Sequence, residues 1–470
     1  MSTRSEATVD ASVEQAANLG QGSSRAALSG RARAGRETPL DLYVRTPDPA
    51  YEYRPLRVLE GEGYSAHVLE MTSQTWRKPE EVDRTVWKHW LTVIVPRTVR
   101  HRTAMLYITG GRSTTPPPSE ADRDLARLAA TTGSVAVLLQ QVPNEPLTFA
   151  GEGMPRREDA LIAYAWDRYL RSGDATWLPR LPMTKSAVRA MDTVVDFCSR
   201  PEAGSLVIDG FVVAGASKRG WTTWTTAAVD RRVVAIVPMV IDLLNVEANF
   251  RHHFQSYGFW SPAIQEFIDL RIPQWFGTRE FRALVRIEDP YSYRERLTLP
   301  KLIVNATGDP FFLPDSSRFY FDDLPGEKHL RYVPNTGHTL DGADAFDSLL
   351  AFFRSVVEGA PRPSFTWRFK GKGSIRLRTD PARVPSEVRL WRASNPEARD
   401  FRMESIGPSW VGTVLPPCGN GVYVATIEKP ARGWTAFFLE ATYPGTGSEP
   451  LKFTTAVRIV PDTMPRRPVR

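Results

Sequence analysis

Between residues 64 and 358 short apolar runs alternate with stretches of helical spacing, and glycines, prolines and charged clusters separate them. Tyr64–Trp76 and Val86–Val95 read as two strands joined by the charged turn Arg77–Arg84. Ala104–Ile108, Ser134–Val142, Phe211–Ala214, Val233–Ile241, Leu302–Asn305 and Leu330–Val333 are nearly continuous apolar runs, the pattern of strands buried on both faces. Helical spacing occupies Glu120–Thr131, Asp159–Arg171, Met183–Cys198 and Phe346–Val357, with a further helix start at Pro314-Asp315, and Asn245–Arg271 reads as an aromatic-rich insertion. Strands alternating with helices predict an α/β fold, a mostly parallel sheet covered on both faces.

The pattern changes at Glu358–Pro363. Beyond it, Thr366–Phe369, Ser374–Arg378, Glu387–Trp391, Gly421–Ile427, Thr435–Thr442 and Lys452–Ile459 are short alternating runs between turn residues. They predict a small C-terminal β-sandwich over residues 364–462, after an α/β unit over residues 38–360. Residues 1–37 are rich in Ala, Ser, Arg and Gly and are expected to be a disordered tail. They hold no apolar run of the roughly 7–15 residues that a secretory signal needs, so the cytoplasm is the default expectation. No run approaches the roughly 20 apolar residues of a membrane span.

Composition changes this picture little. The formal charge is +7, from 60 Lys and Arg against 53 Asp and Glu. Part of that excess stands in the two tails (Arg4, Arg25, Arg31, Arg33, Arg36; Arg466, Arg467, Arg470), which favours solubility over a nucleic-acid footprint. Two distant cysteines, Cys198 and Cys418, make neither a disulfide framework nor a metal site. His252 and His253 are adjacent and so face different ways, which argues against a two-histidine metal site. No cofactor motif is read.

Candidate chemistry centres on Ser217. A short apolar strand, then Gly215-Ala216-Ser217, then a helical run from Lys218 has the form of a nucleophile elbow, spelled G-x-S-x-x-G where G-x-S-x-G is usual. Small neighbours let a serine Oγ stand clear of the sheet, and the helix start turns N–H groups toward a developing oxyanion. An ordinary turn between strand and helix fits the same letters. Asp309 and His338 each follow an apolar strand, in the order Ser, acid, His, so all three fall at the C-terminal end of a parallel sheet. Asp315 and Asp242 are rival acids. Lys218, with one of Gly110, Gly111 or Arg112 directly after the Ala104–Ile108 strand, would supply oxyanion donors from backbone N–H. Asn144, in the rigid loop Pro143–Leu147, and Tyr257 and Trp260, in an aromatic-rich insertion, are candidate pocket residues; buried packing fits those aromatics equally.

Several longer stretches resemble one known family: GASKRGWTTW, QVPNEPL with the downstream REDALIAYAW pattern, RLPMTKSAV, NATGDPFFLPDSS, PNTGH and RASNPEARDFR. Over roughly residues 38–460 the chain is similar to the PhoPQ-activated pathogenicity-related proteins, a group that includes the eukaryotic autocrine proliferation repressors. The resemblance implies an α/β-hydrolase domain with a C-terminal β-domain and implies no particular substrate. Many members are exported; this chain shows no signal peptide. The elbow also looks like that of glucuronoyl esterases, where a basic residue follows the serine, and Lys218 matches in charge type only. A surface lysine is the other reading. The combined expectation is a serine hydrolase acting on a small-molecule, carbohydrate-ester or peptide substrate. The alternative is a non-catalytic interaction or signalling protein that keeps the fold.

Overall fold

The computed structural model describes residues 37–466; the expected N-terminal tail lies almost wholly outside them. The first part of the chain gives the main sheet nine strands: β1 (Glu52–Gly61), β2 (Tyr64–Thr75), β3 (Val86–Pro96), β4 (Thr103–Ile108), β5 (Ala136–Leu139), β6 (Gly210–Ala216), β7 (Val233–Met239), β8 (Lys301–Ala306) and β9 (Lys328–Val333). They lie side by side in the order β1-β2-β3-β5-β4-β6-β7-β8-β9. The first four in that order pair antiparallel, and from β5 onward every pair is parallel. This is an α/β-hydrolase sheet with one additional edge strand, β1.

Period-two alternation builds the two faces. Phe211 and Val213 of β6 enter one core, Val212 and Ala214 the other. The first core takes α1 (Pro39–Arg45), α3 (Glu158–Ser172), α4 (Arg180–Cys198), α5 (Lys218–Val229), α6 (Val246–Tyr257) and α7 (Arg279–Glu288). The second takes α2 (Arg123–Thr132) and α8 (Ala345–Val357). Helix α4 begins at Arg180, three residues before the expected Met183, because Pro182 is tolerated in a first helical turn. The helix expected to open at Pro314-Asp315 is only the single 3₁₀ turn Ser316–Phe319. Among the described residues no helix is long and apolar enough to cross a membrane.

After Pro363 come β10 (Phe365–Lys370), β11 (Ser374–Thr379), β12 (Glu387–Asn395), β13 (Val411–Val414), β14 (Val422–Thr426), β15 (Trp434–Tyr443), β16 (Leu451–Thr454) and β17 (Arg458–Val460). They build two antiparallel layers. β10-β11-β14 is one; β16-β15-β12-β13 is the other, and it continues the main sheet because β16 bonds to β9. Ile375, Leu377 and Tyr423 of the small layer share a core with Phe437, Leu439 and Phe453 of the large one. The compositional break at residues 359–363 is therefore not a break in the sheet.

Candidate active site

The elbow is built by close approach. Ser217 directly follows β6, at φ 56 and ψ −124, outside the regions that L-residues ordinarily occupy. Its N–H donates to the Met239 carbonyl at 2.8 Å, and its carbonyl accepts from Trp221 N–H at 3.0 Å. A Cβ on Gly215 would stand 2.7 Å from the Arg219 carbonyl oxygen, and one on Gly220 would stand 2.9 Å from those of Gly215 and Met239. Hence the second glycine comes three residues after the serine: α5 crosses the ends of β6 and β7 at that residue. The helix is threonine-rich and buried, and its hydroxyls are satisfied by its own carbonyls, as in Thr222 to Lys218 (3.1 Å) and Thr226 to Thr222 (2.7 Å).

Two neighbouring loops carry the acid and the histidine. Asp309, beyond β8, is buried; its Oδ1 accepts from the N–H groups of Phe311 (2.8 Å) and Phe312 (3.3 Å). Its Oδ2 lies 2.7 Å from Nδ1 of His338, beyond β9. That contact makes Nδ1 the protonated nitrogen of the neutral ring and leaves Nε2 as the basic one. The imidazole packs against Phe311 and Phe312, with ring centroids 4.4 and 5.9 Å apart. Backbone bonds lock the loops together: Gly308 N–H to Thr336 O at 3.0 Å, and Met403 N–H, from the C-terminal segment, to Gly308 O at 3.0 Å.

The rival acids pair elsewhere. Asp315 binds His252 Nε2 at 2.9 Å and Arg399 at 2.6 Å. Burial opposes its charge, but Arg399 and His252 hold its carboxyl well below the usual range. Asp242 accepts from the hydroxyls of Tyr320 and Tyr332, each at 2.6 Å, and burial pushes it up to about 7.

The loop after β4 is braced from the elbow helix. Gly111 takes φ +126, and a Cβ on Gly110 would stand 2.2 Å from the Arg219 guanidinium. Arg219 donates to the Val142 carbonyl and, at 2.9 Å from each terminal nitrogen, to both oxygens of Glu158. Glu158 N–H in turn donates to the wholly buried Glu145 at 2.7 Å. Burial, with the Glu158 charge beside it, pushes Glu145 up to about 7, whereas Arg219 and Lys218 outweigh burial at Glu158 and hold it low. Arg112 lies exposed, and its carbonyl accepts from the Gln141 amide at 2.9 Å. Lys218 is not a surface lysine: it is buried, with Nζ 3.0 Å from Glu158 and 3.1 Å from Asp159.

Ser217 borders a small recess of about 40 Å³, walled by Trp166, Arg180, Trp221, Phe250 and the same Phe311 and Phe312 that flank His338. The three pocket residues expected from sequence do not line it. Asn144 is buried and donates to the Lys88 carbonyl. Tyr257 and Trp260 pack on His253, with centroids 4.7 and 5.8 Å away, one layer behind. Arg180, Arg219 and the two phenylalanines went unread because their roles depend on contacts across the fold; Arg219 meets Glu158 over 61 residues of chain. A larger cleft of about 780 Å³, beside Trp367, Arg458 and Asp462, includes none of the Ser217, Asp309 and His338 set.

Residues 40–402 match the family model described as PhoPQ-activated pathogenicity-related protein. Autocrine proliferation repressor protein A of Dictyostelium discoideum is 39% identical over 455 residues, covering 91% of each chain. Among solved structures, acetyl xylan esterase 1 from Thermoanaerobacterium sp. is 17% identical over 70% of this chain and 96% of its own, with a TM-score of 0.48. Pyrococcus horikoshii acylaminoacyl peptidase is 13% identical over 69% of this chain and 44% of its own, with a TM-score of 0.38.

Proposed function

The chain belongs to the PhoPQ-activated pathogenicity-related protein family, and from that premise we propose that it is a serine hydrolase that cleaves an ester or peptide bond through an acyl-enzyme on Ser217. The observation that carries this reading is the 2.7 Å contact of His338 Nδ1 with Asp309, on the loops that neighbour a strained serine turn. His338 Nε2 takes the Ser217 proton as the Oγ–carbon bond forms, and returns it to the departing alcohol or amine as the scissile bond breaks. Water repeats the two transfers and releases the acid. Asp309 orients the ring and stabilises the imidazolium. The N–H of Lys218 and one from the Gly110–Arg112 loop receive the oxyanion, and Arg219 fixes that loop against the elbow.

A fluorophosphonate probe tests the reading. Wild-type protein is expected to label and Ser217→Ala is not; equal labelling of both contradicts the assignment. The name of the Dictyostelium relative motivates the second reading, a signalling or interaction protein that retains the fold. A folded wild-type protein inert to every serine-directed probe would favour it.

A further inference from the structure

Three basic side chains stand beside the elbow, and their surroundings differ. Lys218 is paired with Glu158 and Asp159, and Arg219 with Glu158. Arg180 is 4% exposed and lines the Ser217 recess, yet makes no ion pair among the described residues. One terminal nitrogen donates to the Lys218 carbonyl at 3.0 Å, the guanidinium lies over the Trp221 ring at 4.4 Å, and its buried Nε has no partner. Glu288 is the carboxylate that most supports its charge, but not from ion-pair distance. One Glu288 oxygen accepts from the Trp166 indole, the other, buried, makes no hydrogen bond, and the backbone N–H of Arg180 also favours this carboxylate's charge.

The position is unfavourable for a cation on its own. Arg180 is the first residue of a 19-residue helix, where the positive end of the helix dipole already repels it. Burial removes its water, and no anion compensates at contact. The same two features favour an anion arriving from the recess. A guanidinium with open donors, at a helix N-terminus and walled by Trp166 and Trp221, suits a planar carboxylate joined to an apolar stem.

We propose that Arg180 is the carboxylate-recognising residue of the substrate site, so that the preferred substrate carries a free carboxylate on the end that enters this recess. A single negative charge fits better than a phosphate dianion, because Asp159 shares the wall and Glu288 lies behind it. The assignment rests on Ser217 being the nucleophile beside which the recess opens.

Turnover and binding are read separately. In turnover, the p-nitrophenyl monoester of glutaric acid is compared with p-nitrophenyl pentanoate, its uncharged counterpart. Wild-type kcat/KM should favour the carboxylate ester by about 10–100-fold, the scale of a charged hydrogen bond. Arg180→Gln should bring that ratio to about one, and Arg180→Lys should keep part of it. A merely structural Arg180 would lower Tm and leave the ratio alone. A wild-type ratio near one, or a ratio that survives Arg180→Gln, overturns the proposal. If Ser217 does not react, neither ester turns over, and binding decides: monomethyl glutarate should raise the Tm of wild-type protein and not that of Arg180→Gln. No shift in wild type, or the same shift in both, overturns the subsite whatever the fate of the hydrolase reading. Should Arg180→Gln fail to fold, the wild-type preference and its reduction in Arg180→Lys remain as the test.

Discussion

Two backbone amides hold one oxygen of Asp309 and the His338 imidazole meets the other, so this carboxylate is orientated before any substrate arrives. Removing its charge while keeping its shape should therefore be costly. Asp309→Asn is expected to lower kcat by about 10⁴-fold on any ester that wild type cleaves, through the wrong imidazole tautomer, with little change in Tm. Asp315→Asn should do the reverse: it strips the buried Arg399 of its partner, at about 3–5 kcal/mol of stability. Thermal unfolding and steady-state kinetics on the two variants separate these outcomes. Asp242 gives a pH signature of its own. Burial raises its folded pKa to about 7 from the ordinary aspartate value of 3.8. A carboxyl that holds its proton more tightly when folded contributes stability that is full below the unfolded pKa and lost as pH rises through the folded one. Wild-type Tm should thus fall, relative to Asp242→Asn, between about pH 4 and pH 7, by the equivalent of at most about 4 kcal/mol. Parallel Tm profiles for the two proteins would contradict it. The sequence offered all three acids as candidates with Asp309 ahead. The partners of the other two, Tyr320 and Tyr332 for Asp242, Arg399 for Asp315, come from distant segments that spacing cannot join.

The elbow shows how one element constrains its neighbours. Gly220→Ala would press a methyl group against the carbonyls of Gly215 and Met239, which are backbone and cannot step aside. A loss of about 1–3 kcal/mol is expected, read as a lower denaturation midpoint at unchanged m-value. Gly111 is different. A Cβ there would meet nothing nearer than Gln141 at 3.6 Å, but φ +126 is a conformation that a β-branched residue resists. Gly111→Val should leave the fold intact and lower kcat by about 10²-fold, the scale of one lost oxyanion donor; an unchanged kcat would remove the loop from the mechanism. The buried strands were legible because both faces of the sheet are covered, so each reads as an apolar run. β1 was not: EYRPLRVLEG is a largely exposed edge strand with a register shift after Pro55, and it carries no alternation to read. Nor was α1, whose seven residues are fixed by the Thr38–Asp41 capping box.

At the scale of the whole chain, the C-terminal strands belong to the framework that holds the site. β16 closes the free edge of β9, and Met403 bonds the Gly308 carbonyl next to Asp309. A chain ending at Gly359 would expose that edge and remove Phe437, Leu439 and Phe453 from the core they share with α8. It is expected to aggregate or to unfold at a markedly lower temperature, and a shortened protein with wild-type Tm and labelling would show that the β layers are dispensable. Alternating runs announced β structure after Pro363, but nothing in them says which strand reaches back to β9: a pairing over more than a hundred residues leaves no local pattern. Ser217, His338 and Asp309 likewise come from three separated segments, and the central claim is that they act as one unit. The most direct measurement is the rate at which a fluorophosphonate modifies the protein, with the adduct located by mass spectrometry, in wild type and in His338→Gln. The expected result is a single adduct on Ser217, formed at least about 10³-fold more slowly without the histidine. An adduct on another residue, or modification of Ser217 at an equal rate in both proteins, would contradict it.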